Sequence, residues 1–141
     1  MKAVLRSLVT LLMLFLALGA SAAAHASPEI EPNRVAADGY FWVHNGADNY
    51  WCNFYNNAPT LSGCTNKNDE VFNNGYPCSG CDWIRLYWGS YYTGAYFCIS
   101  PGAWYTQWDN PGLTFNRGSG LAGFGQSIWY NSASAKWSGP C

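Results

Sequence analysis

Few side chains in this sequence could carry out catalysis. His44 is the only histidine after residue 26, so a Ser-His-Asp arrangement would have no other base. No serine lies in a GxSxG elbow, so a serine nucleophile of that kind is not indicated. A carboxylate pair for glycoside cleavage would have to combine Glu70, Asp82 and Asp109, but Asp82 is better explained as a strand-end residue and Asp109 as a turn residue. A catalytic zinc site needs about three protein ligands, which a single histidine does not supply. The residues therefore favour a non-enzymatic function without a catalytic residue or a cofactor.

The six cysteines are the second group with chemical potential. Their even number, in a small chain with an export signal, predicts three disulfides. A redox or zinc site at the CSGC sequence is the alternative, but the first needs a βαβ setting and the second needs another ligand pair. Six cysteines can pair in many ways, and the sequence does not choose among them. Of these pairings we expect Cys52–Cys64, Cys78–Cys81 and Cys98–Cys141.

Aromatic side chains are the third group. The eight tryptophans and ten tyrosines could stack on sugar rings, although most of them should fill the core of a small β domain. Trp104 and Trp108 are four residues apart in an alternating segment. This spacing places both on one face of a strand, where they could form a flat platform for a carbohydrate.

Strands must position these groups, because no amphipathic helix pattern occurs after residue 26. The central stretch is DWIRLYWGSYYTGAYFCISPG, which predicts a strand, a tight turn and a returning strand over residues 82–102. Asn45-Gly46 predicts a hairpin turn between two further strands. The asparagine-rich stretch from Asn53 to Asn74 is expected to be a solvated loop rather than an EF-hand calcium loop, whose glycine and distant glutamate are missing. The remaining strands are expected at 104–108, 113–115, 127–130 and 135–137, so the fold class is all-β.

The first 26 residues have the features of a secretory signal peptide. Lys2 and Arg6 precede a short apolar run, and Ala24-His25-Ala26 is a small-x-small cleavage site. Cleavage would leave a flexible arm at 27–38 and one domain at 39–141. The five remaining basic residues are scattered among eight acidic ones, which argues against binding to nucleic acid. We therefore expect a secreted, extracellular monomer that does not contact a membrane after cleavage.

Two segments of the second half carry a family resemblance. Tyr87, Tyr92 and Gly94 have a spacing that resembles the hairpin signature of the βγ-crystallin Greek key, and SIWYNSASAKW resembles its closing segment, with Ser134 at the serine position. With the export signal and cysteines, the pattern resembles small secreted metalloprotease inhibitors of actinobacteria that have this fold. In the first half the spacing over residues 55–63 departs from the signature. The resemblance implies a disulfide-stapled Greek key sandwich whose first motif is degenerate or extended.

The resemblance also implies peptidase inhibition, with a secreted metalloprotease as the partner. An inhibitor presents a pre-ordered loop, so that little entropy is lost on docking. The loop Cys64-Thr65-Asn66-Lys67-Asn68 is the candidate, because a disulfide at Cys64 would fix its start; a plain surface loop is the alternative. Binding to carbohydrate or to cell walls, including a toxin that acts on microbes, is the second class of function.

The resemblance also allows the calcium site of the family to be looked for in this sequence. The family pattern would fall on residues 130–135, where Asn131 and Ser134 fit. Tyr130 and Ala135 stand at two positions that the pattern reserves for oxygen donors. We therefore expect weak calcium binding or none, and no other metal.

Overall fold

The computed structural model describes residues 37–141, which form two antiparallel β-sheets. The seven strands are β1 (Tyr40–Asn45), β2 (Tyr50–Phe54), β3 (Asn68–Asn74), β4 (Trp83–Gly89), β5 (Thr93–Ile99), β6 (Trp104–Thr106) and β7 (Ser134–Ser138). A three-residue 3-10 turn, Ser90–Tyr92, joins β4 to β5. The predicted all-β class is therefore confirmed. The predicted signal peptide, and all but the last two residues of the predicted arm, lie outside the described residues.

The two sheets exchange segments between the halves of the chain. The first sheet has the strand order β2-β1-β3-β6, and the second has the order β5-β4-β7. β6 follows β4 and β5 in sequence, yet it pairs with β3 of the first half. In return, Ala58 of the first half forms an isolated antiparallel bridge with Ala135 in β7. Each half therefore completes the sheet of the other.

The core lies between the inner faces of the two sheets. Alternate residues of β1 and β4 point inward, so Phe41 and Val43 are buried in β1, and Ile84 and Leu86 in β4. Loop residues complete the core, among them Leu61, Phe115 and Ile128, which are fully buried.

The asparagine-rich stretch contains a strand that the sequence did not predict. β3 is the neighbour of β1 in the first sheet, so the expectation of a solvated loop is wrong for Asn68–Asn74. Asn68 and Asn73 are fully buried, and their amides donate to distant carbonyl groups, those of Ile128 (3.0 Å) and Ile99 (3.2 Å). These hydrogen bonds satisfy polar groups that burial would otherwise leave unpaired.

The last third of the chain has fewer strands than predicted. β6 ends at Thr106 instead of continuing to Trp108. The predicted strands at 113–115 and 127–130 are not formed, and the two segments are joined only by an isolated bridge between Thr114 and Ser127. Glycines at 118, 120, 123 and 125 all have positive φ, so this region folds as successive turns.

The three disulfides connect the cysteines in the predicted pairs. Cys52–Cys64 joins β2 to the segment before β3, and Cys78–Cys81 closes a short loop before β4. Cys98–Cys141 attaches the C-terminal residues to β5. Each disulfide links residues within one half of the chain.

Candidate functional site

The outer face of the first sheet is lined with aromatic side chains. Phe41 and Val43 point into the core, so Tyr40, Trp42 and His44 lie on the opposite face of β1. The strand registers bring the outward residues of β2, β3 and β6 beside them. We call this surface the aromatic face, and it comprises Tyr40, Trp42, His44, Trp51, Glu70, Phe72 and Trp104.

The rings of the aromatic face form a continuous row. The ring centroids of Trp42 and Trp51 are 6.5 Å apart, and those of Trp51 and Trp104 are also 6.5 Å apart, both at steep edge-to-face angles. Tyr40 contacts Trp42 at 6.0 Å, and Phe72 contacts Trp104 at 5.5 Å. Trp51 is 40% exposed and Trp104 is 50% exposed. The rings therefore support one another while they remain accessible to solvent.

Carboxylates fix the orientation of two of the indole rings. Trp42 donates its Nε1 hydrogen to Asp38 Oδ2 at 2.9 Å, and Trp104 donates to Glu70 Oε2 at 3.1 Å. Hydrogen bonds to charged acceptors are stronger than neutral ones, so they limit rotation of the rings. The same carboxylates place hydrogen-bond acceptors at the border of the aromatic face.

His44 lies on β1, an inner strand of the first sheet, and its side chain is on the outer face. Its Nδ1 lies 2.7 Å from Asp69 Oδ1, to which it donates a hydrogen bond, and Asp69 is only 3% exposed. Its ring also lies against Trp51, with the centroids 4.9 Å apart. The pair orients the imidazole so that Nε2, which has no partner within residues 37–141, is the ring nitrogen left for a ligand.

The charges near the aromatic face are negative. Asp38, Asp69 and Glu70 are the carboxylates that contact its side chains. In the part of the chain that the structure describes, the basic residues lie elsewhere: Arg85 and Lys136 are on β4 and β7, Arg117 pairs with β5, and Lys67 binds Asp48. The face therefore suits a neutral ligand better than an anionic one.

The predicted platform of Trp104 and Trp108 is found only in part. Trp104 lies on the aromatic face, as the alternation predicts. Trp108 follows the end of β6 and lies in a turn, where it is 68% exposed. The cause is local, because Thr106 Oγ1 donates to Asp109 Oδ2 at 2.7 Å and accepts from Asp109 N at 3.1 Å, which closes the turn.

The candidate inhibitory loop, residues 64–68, is more buried than expected. Cys64 and Asn68 are fully buried, and Asn68 begins β3. Thr65 and Lys67 are half-buried, so Asn66, with φ of 54°, is the exposed residue of the segment. The disulfide at Cys64 fixes the start of the segment as expected.

Lys67 connects this segment to the β1–β2 turn. Its Nζ lies 2.6 Å from Asp48 Oδ2, and its carbonyl oxygen accepts from Gly46 N at 3.0 Å. The hydrogen bond from Lys67 holds the pKa of Asp48 below its usual range, and the same bond raises the pKa of Lys67. The two loops are therefore held together at one end of the first sheet.

The residues of the hairpin signature meet in the second sheet. Ser134 is paired with Tyr87 across β7 and β4, and its Oγ donates to Gly89 O at 2.6 Å and accepts from Tyr92 N at 3.0 Å. The rings of Tyr87 and Tyr92 are in edge contact at 5.9 Å. Burial, together with the neighbouring Tyr87, raises the pKa of Tyr92. One serine thus anchors the folded hairpin between β4 and β5.

Gly94 lies where the hairpin leaves no room for a side chain. Its φ is 79°, and a Cβ would lie 2.8 Å from the carbonyl oxygen of Ala122 and 3.2 Å from the ring of Trp88. Both the conformation and the close approach require glycine.

The weak calcium candidates, Asn131 and Ser134, are occupied by main-chain contacts. The Asn131 amide donates to the carbonyl groups of Ser127 (3.1 Å) and Trp129 (3.2 Å), and Ser134 holds the hairpin as described above. Within residues 37–141 no group of three His, Cys, Asp or Glu side chains is placed to hold a metal ion. Asp82 accepts from Cys78 N at 3.2 Å in the loop before β4, and Asp109 belongs to the turn after β6.

Most of the aromatic face was not predicted from the sequence. Trp42 and Trp51 belong to the tryptophans and tyrosines most of which were expected to fill the core, and Phe72 was not singled out. The alternation in YFWVHN, where buried Phe41 and Val43 separate the outward rings, was the available signal.

Comparison of the chain with protein-family models, with curated proteins and with solved structures finds no match. A search of the described residues for a helix long and apolar enough to span a bilayer finds none.

Proposed function

We propose that this chain is a secreted, βγ-crystallin-like module that binds a neutral polysaccharide through its aromatic face. The observation that carries the proposal is the continuous row of partly exposed rings from Tyr40 to Trp104. The C–H groups on the faces of a β-linked sugar ring are apolar and weakly positive, and aromatic rings present apolar, electron-rich faces. A row of sugars can therefore pack along a row of rings.

The mutual support of the rings favours tight binding. Side chains that are immobilised only on binding cost about 0.5–1.5 kcal/mol each in lost entropy. Trp42 and Trp104 are already fixed by hydrogen bonds to Asp38 and Glu70, and Trp51 is held between their rings. Much of this side-chain entropy is therefore lost when the protein folds and not when the ligand binds.

The carboxylates at the border of the aromatic face determine which class of polysaccharide can bind. Asp38 and Glu70 can accept hydrogen bonds from sugar hydroxyl groups. Hydrogen bonds to such charged acceptors are stronger than hydrogen bonds to neutral ones. The same carboxylates repel uronic acid or sulfate groups. Neutral β-linked chains, such as cellulose or chitin, are therefore the ligands that we expect.

The experiment is retention of the oxidised protein on insoluble cellulose and chitin. Trp51→Ala and Trp104→Ala should each weaken retention roughly three- to tenfold, the effect of losing one aromatic contact. Tyr91→Ala is the matched control, because Tyr91 is 72% exposed but lies in the hairpin of the second sheet. Wild-type retention by both tryptophan variants, or no retention of the parent protein on either polymer, would refute the proposal.

The exchange of segments between the two sheets supports the βγ-crystallin-like part of the proposal. β6 of the second half pairs with β3 in the first sheet, and Ala58 of the first half pairs with Ala135 in the second sheet. The close approach at Gly94 and the contacts of Ser134 are compatible with the hairpin signature. Cross-strand nuclear Overhauser effects that gave a different strand order would exclude this assignment.

Secretion is the remaining part of the proposal. The three disulfides support it, because such bonds persist in oxidising compartments. Sequencing the N-terminus of protein recovered from the culture medium should identify Ser27 as the first residue. Recovery of the full-length chain inside cells would contradict this.

Peptidase inhibition is the second candidate. It is favoured by the way in which Cys52–Cys64 and the Lys67–Asp48 pair brace two neighbouring loops around the exposed Asn66. A braced loop loses little entropy on docking to an active site. Titration of thermolysin and subtilisin tests it: stoichiometric inhibition of the metalloprotease would support this function, and no inhibition of either enzyme at micromolar concentration would remove it.

A further inference from the structure

The aromatic face continues beyond β2 into a small cleft. The ring of Tyr55, the residue after β2, contacts Tyr40 with the centroids 5.5 Å apart. Tyr55 also lines a cleft of about 190 Å³ together with Gly39, Tyr76, Cys81 and Trp137. Tyr55 is 58% exposed and Tyr76 is 57% exposed, so both rings are open to solvent. We call this concavity the tyrosine cleft.

Two glycines allow the three rings of the tyrosine cleft to approach the main chain. A Cβ on Gly39 would lie 2.6 Å from the ring of Tyr76 and 3.1 Å from that of Tyr55. A Cβ on Gly75 would lie 2.5 Å from the ring of Trp137. Side chains do not approach this closely, so any larger residue at either position would displace a wall of the cleft.

Hydrogen bonds fix the ring of Trp137, the third ring of the tyrosine cleft. Trp137 donates its Nε1 hydrogen to the Tyr55 carbonyl oxygen at 3.0 Å, and its main-chain N–H donates to Asn57 Oδ1 at 2.9 Å. The Cys78–Cys81 disulfide holds the loop that contributes Cys81. The tyrosine cleft is therefore formed before any ligand arrives.

From these contacts we infer that the tyrosine cleft binds the terminal sugar of a polysaccharide chain that lies along the aromatic face. Sites for drug-sized ligands have volumes of about 300–1,000 Å³, so a cleft of about 190 Å³ suits a single ring. The contact between Tyr40 and Tyr55 connects the aromatic face to the cleft, so the sugar in the cleft belongs to the polysaccharide that lies along the face. The loop closed by the Cys78–Cys81 disulfide lines the cleft at Cys81, and in this proposal the end of the polysaccharide lies against that loop. This inference rests on the proposed polysaccharide-binding function.

The test compares soluble and insoluble ligands, because insoluble polymers carry few chain ends. Calorimetric titration with cellohexaose and chitohexaose measures binding of chains with free ends, and retention on cellulose and chitin measures binding along the chain. Tyr76→Ala should weaken binding of the hexasaccharide roughly three- to tenfold and leave retention on the polymers unchanged. Tyr76→Phe keeps the ring and should bind as the parent does, and Tyr91→Ala is the exposed control.

The outcomes separate the two proposals. If Tyr76→Ala binds hexasaccharides as tightly as the parent, the tyrosine cleft is not a sugar site, although the aromatic face still is. If Tyr76→Ala weakens both kinds of binding equally, the cleft is one more part of the platform and recognition of chain ends is refuted. If the parent binds neither the soluble nor the insoluble ligands, the proposed function itself fails, and this inference fails with it.

Discussion

Replacing Ser134 with alanine tests the anchor of the folded hairpin. Ser134 is fully buried, and its hydroxyl donates to Gly89 O and accepts from Tyr92 N. Alanine has the same shape without the oxygen, so the substitution removes two hydrogen bonds and creates almost no cavity. The carbonyl of Gly89 and the N–H of Tyr92 would then both lose this partner inside the protein.

The expected loss of stability follows from the number of polar groups that lose a hydrogen-bond partner. Each partly buried polar group that loses its partner costs about 1–3 kcal/mol, so for the two groups Ser134→Ala should lower the free energy of unfolding by about 2–6 kcal/mol. For a domain of about 100 residues, each kcal/mol corresponds to about 4 °C in melting temperature. We therefore expect the melting temperature to fall by roughly 8–24 °C.

Ser132→Ala is the matched control, because Ser132 is also fully buried and stands two residues away. Its hydroxyl donates only to Ile128 O, which also accepts from the Asn68 amide at 3.0 Å. We expect this variant to lose about 1 kcal/mol. Urea titration and thermal unfolding, monitored by tryptophan fluorescence, measure both. A loss for Ser134→Ala no larger than that for Ser132→Ala would refute the assigned role of Ser134.

Three further predictions concern stability. Gly94→Ala combines a φ of 79° with a contact to a carbonyl oxygen, so urea titration should show a loss of at least 1–2 kcal/mol. Replacing both Cys98 and Cys141 with alanine opens a loop with a sequence separation of 43, and the chain-entropy estimate gives a loss of about 4 kcal/mol; a change below 1 kcal/mol would contradict it. Because the folded state lowers the pKa of Asp48, its contribution is present above the unfolded pKa of about 4 and is lost as the pH falls through the folded pKa. Asp48→Asn should therefore melt below the parent at pH 7 and converge with it in acid; a difference that persists at pH 2 would exclude this linkage.

The second sheet was largely predictable from the sequence. Ile84 and Leu86 alternate with outward residues, and a turn signal separates them from the returning strand, so both β4 and β5 could be assigned. The three expected disulfide pairs are also formed, although the cysteine spacing alone allowed other pairings. Local pattern was sufficient for β4 and β5 because these two strands follow each other in the chain and pair with each other.

β3 could not be predicted because distant parts of the chain stabilise it. The polar sequence NDEVFNN lacks the alternation of a half-buried strand. Its buried amides, on Asn68 and Asn73, hydrogen-bond to carbonyl groups of residues 128 and 99, which lie far away in sequence. Such partners are invisible to a pattern of hydrophobicity, so the strand resembles a loop until the fold is known.

The aromatic face was missed for a related reason. A tryptophan in an alternating strand can lie on either face, and only pairing decides which residues are buried. In β1 the smaller core residues, Phe41 and Val43, point inward and Trp42 points outward. Trp108 was misplaced because the hydrogen bonds of Thr106 close a turn where the alternation continues.

The exchange of β6 and Ala58 between the sheets has a consequence for how the chain acquires its structure. Neither half carries a complete sheet of its own, and no disulfide joins the halves, so we expect both sheets to be lost in one cooperative transition. β1, β2 and β3 are synthesised before their partner β6, and pairings between segments that are distant in sequence form slowly. The first sheet is therefore incomplete until the second half of the chain has been made.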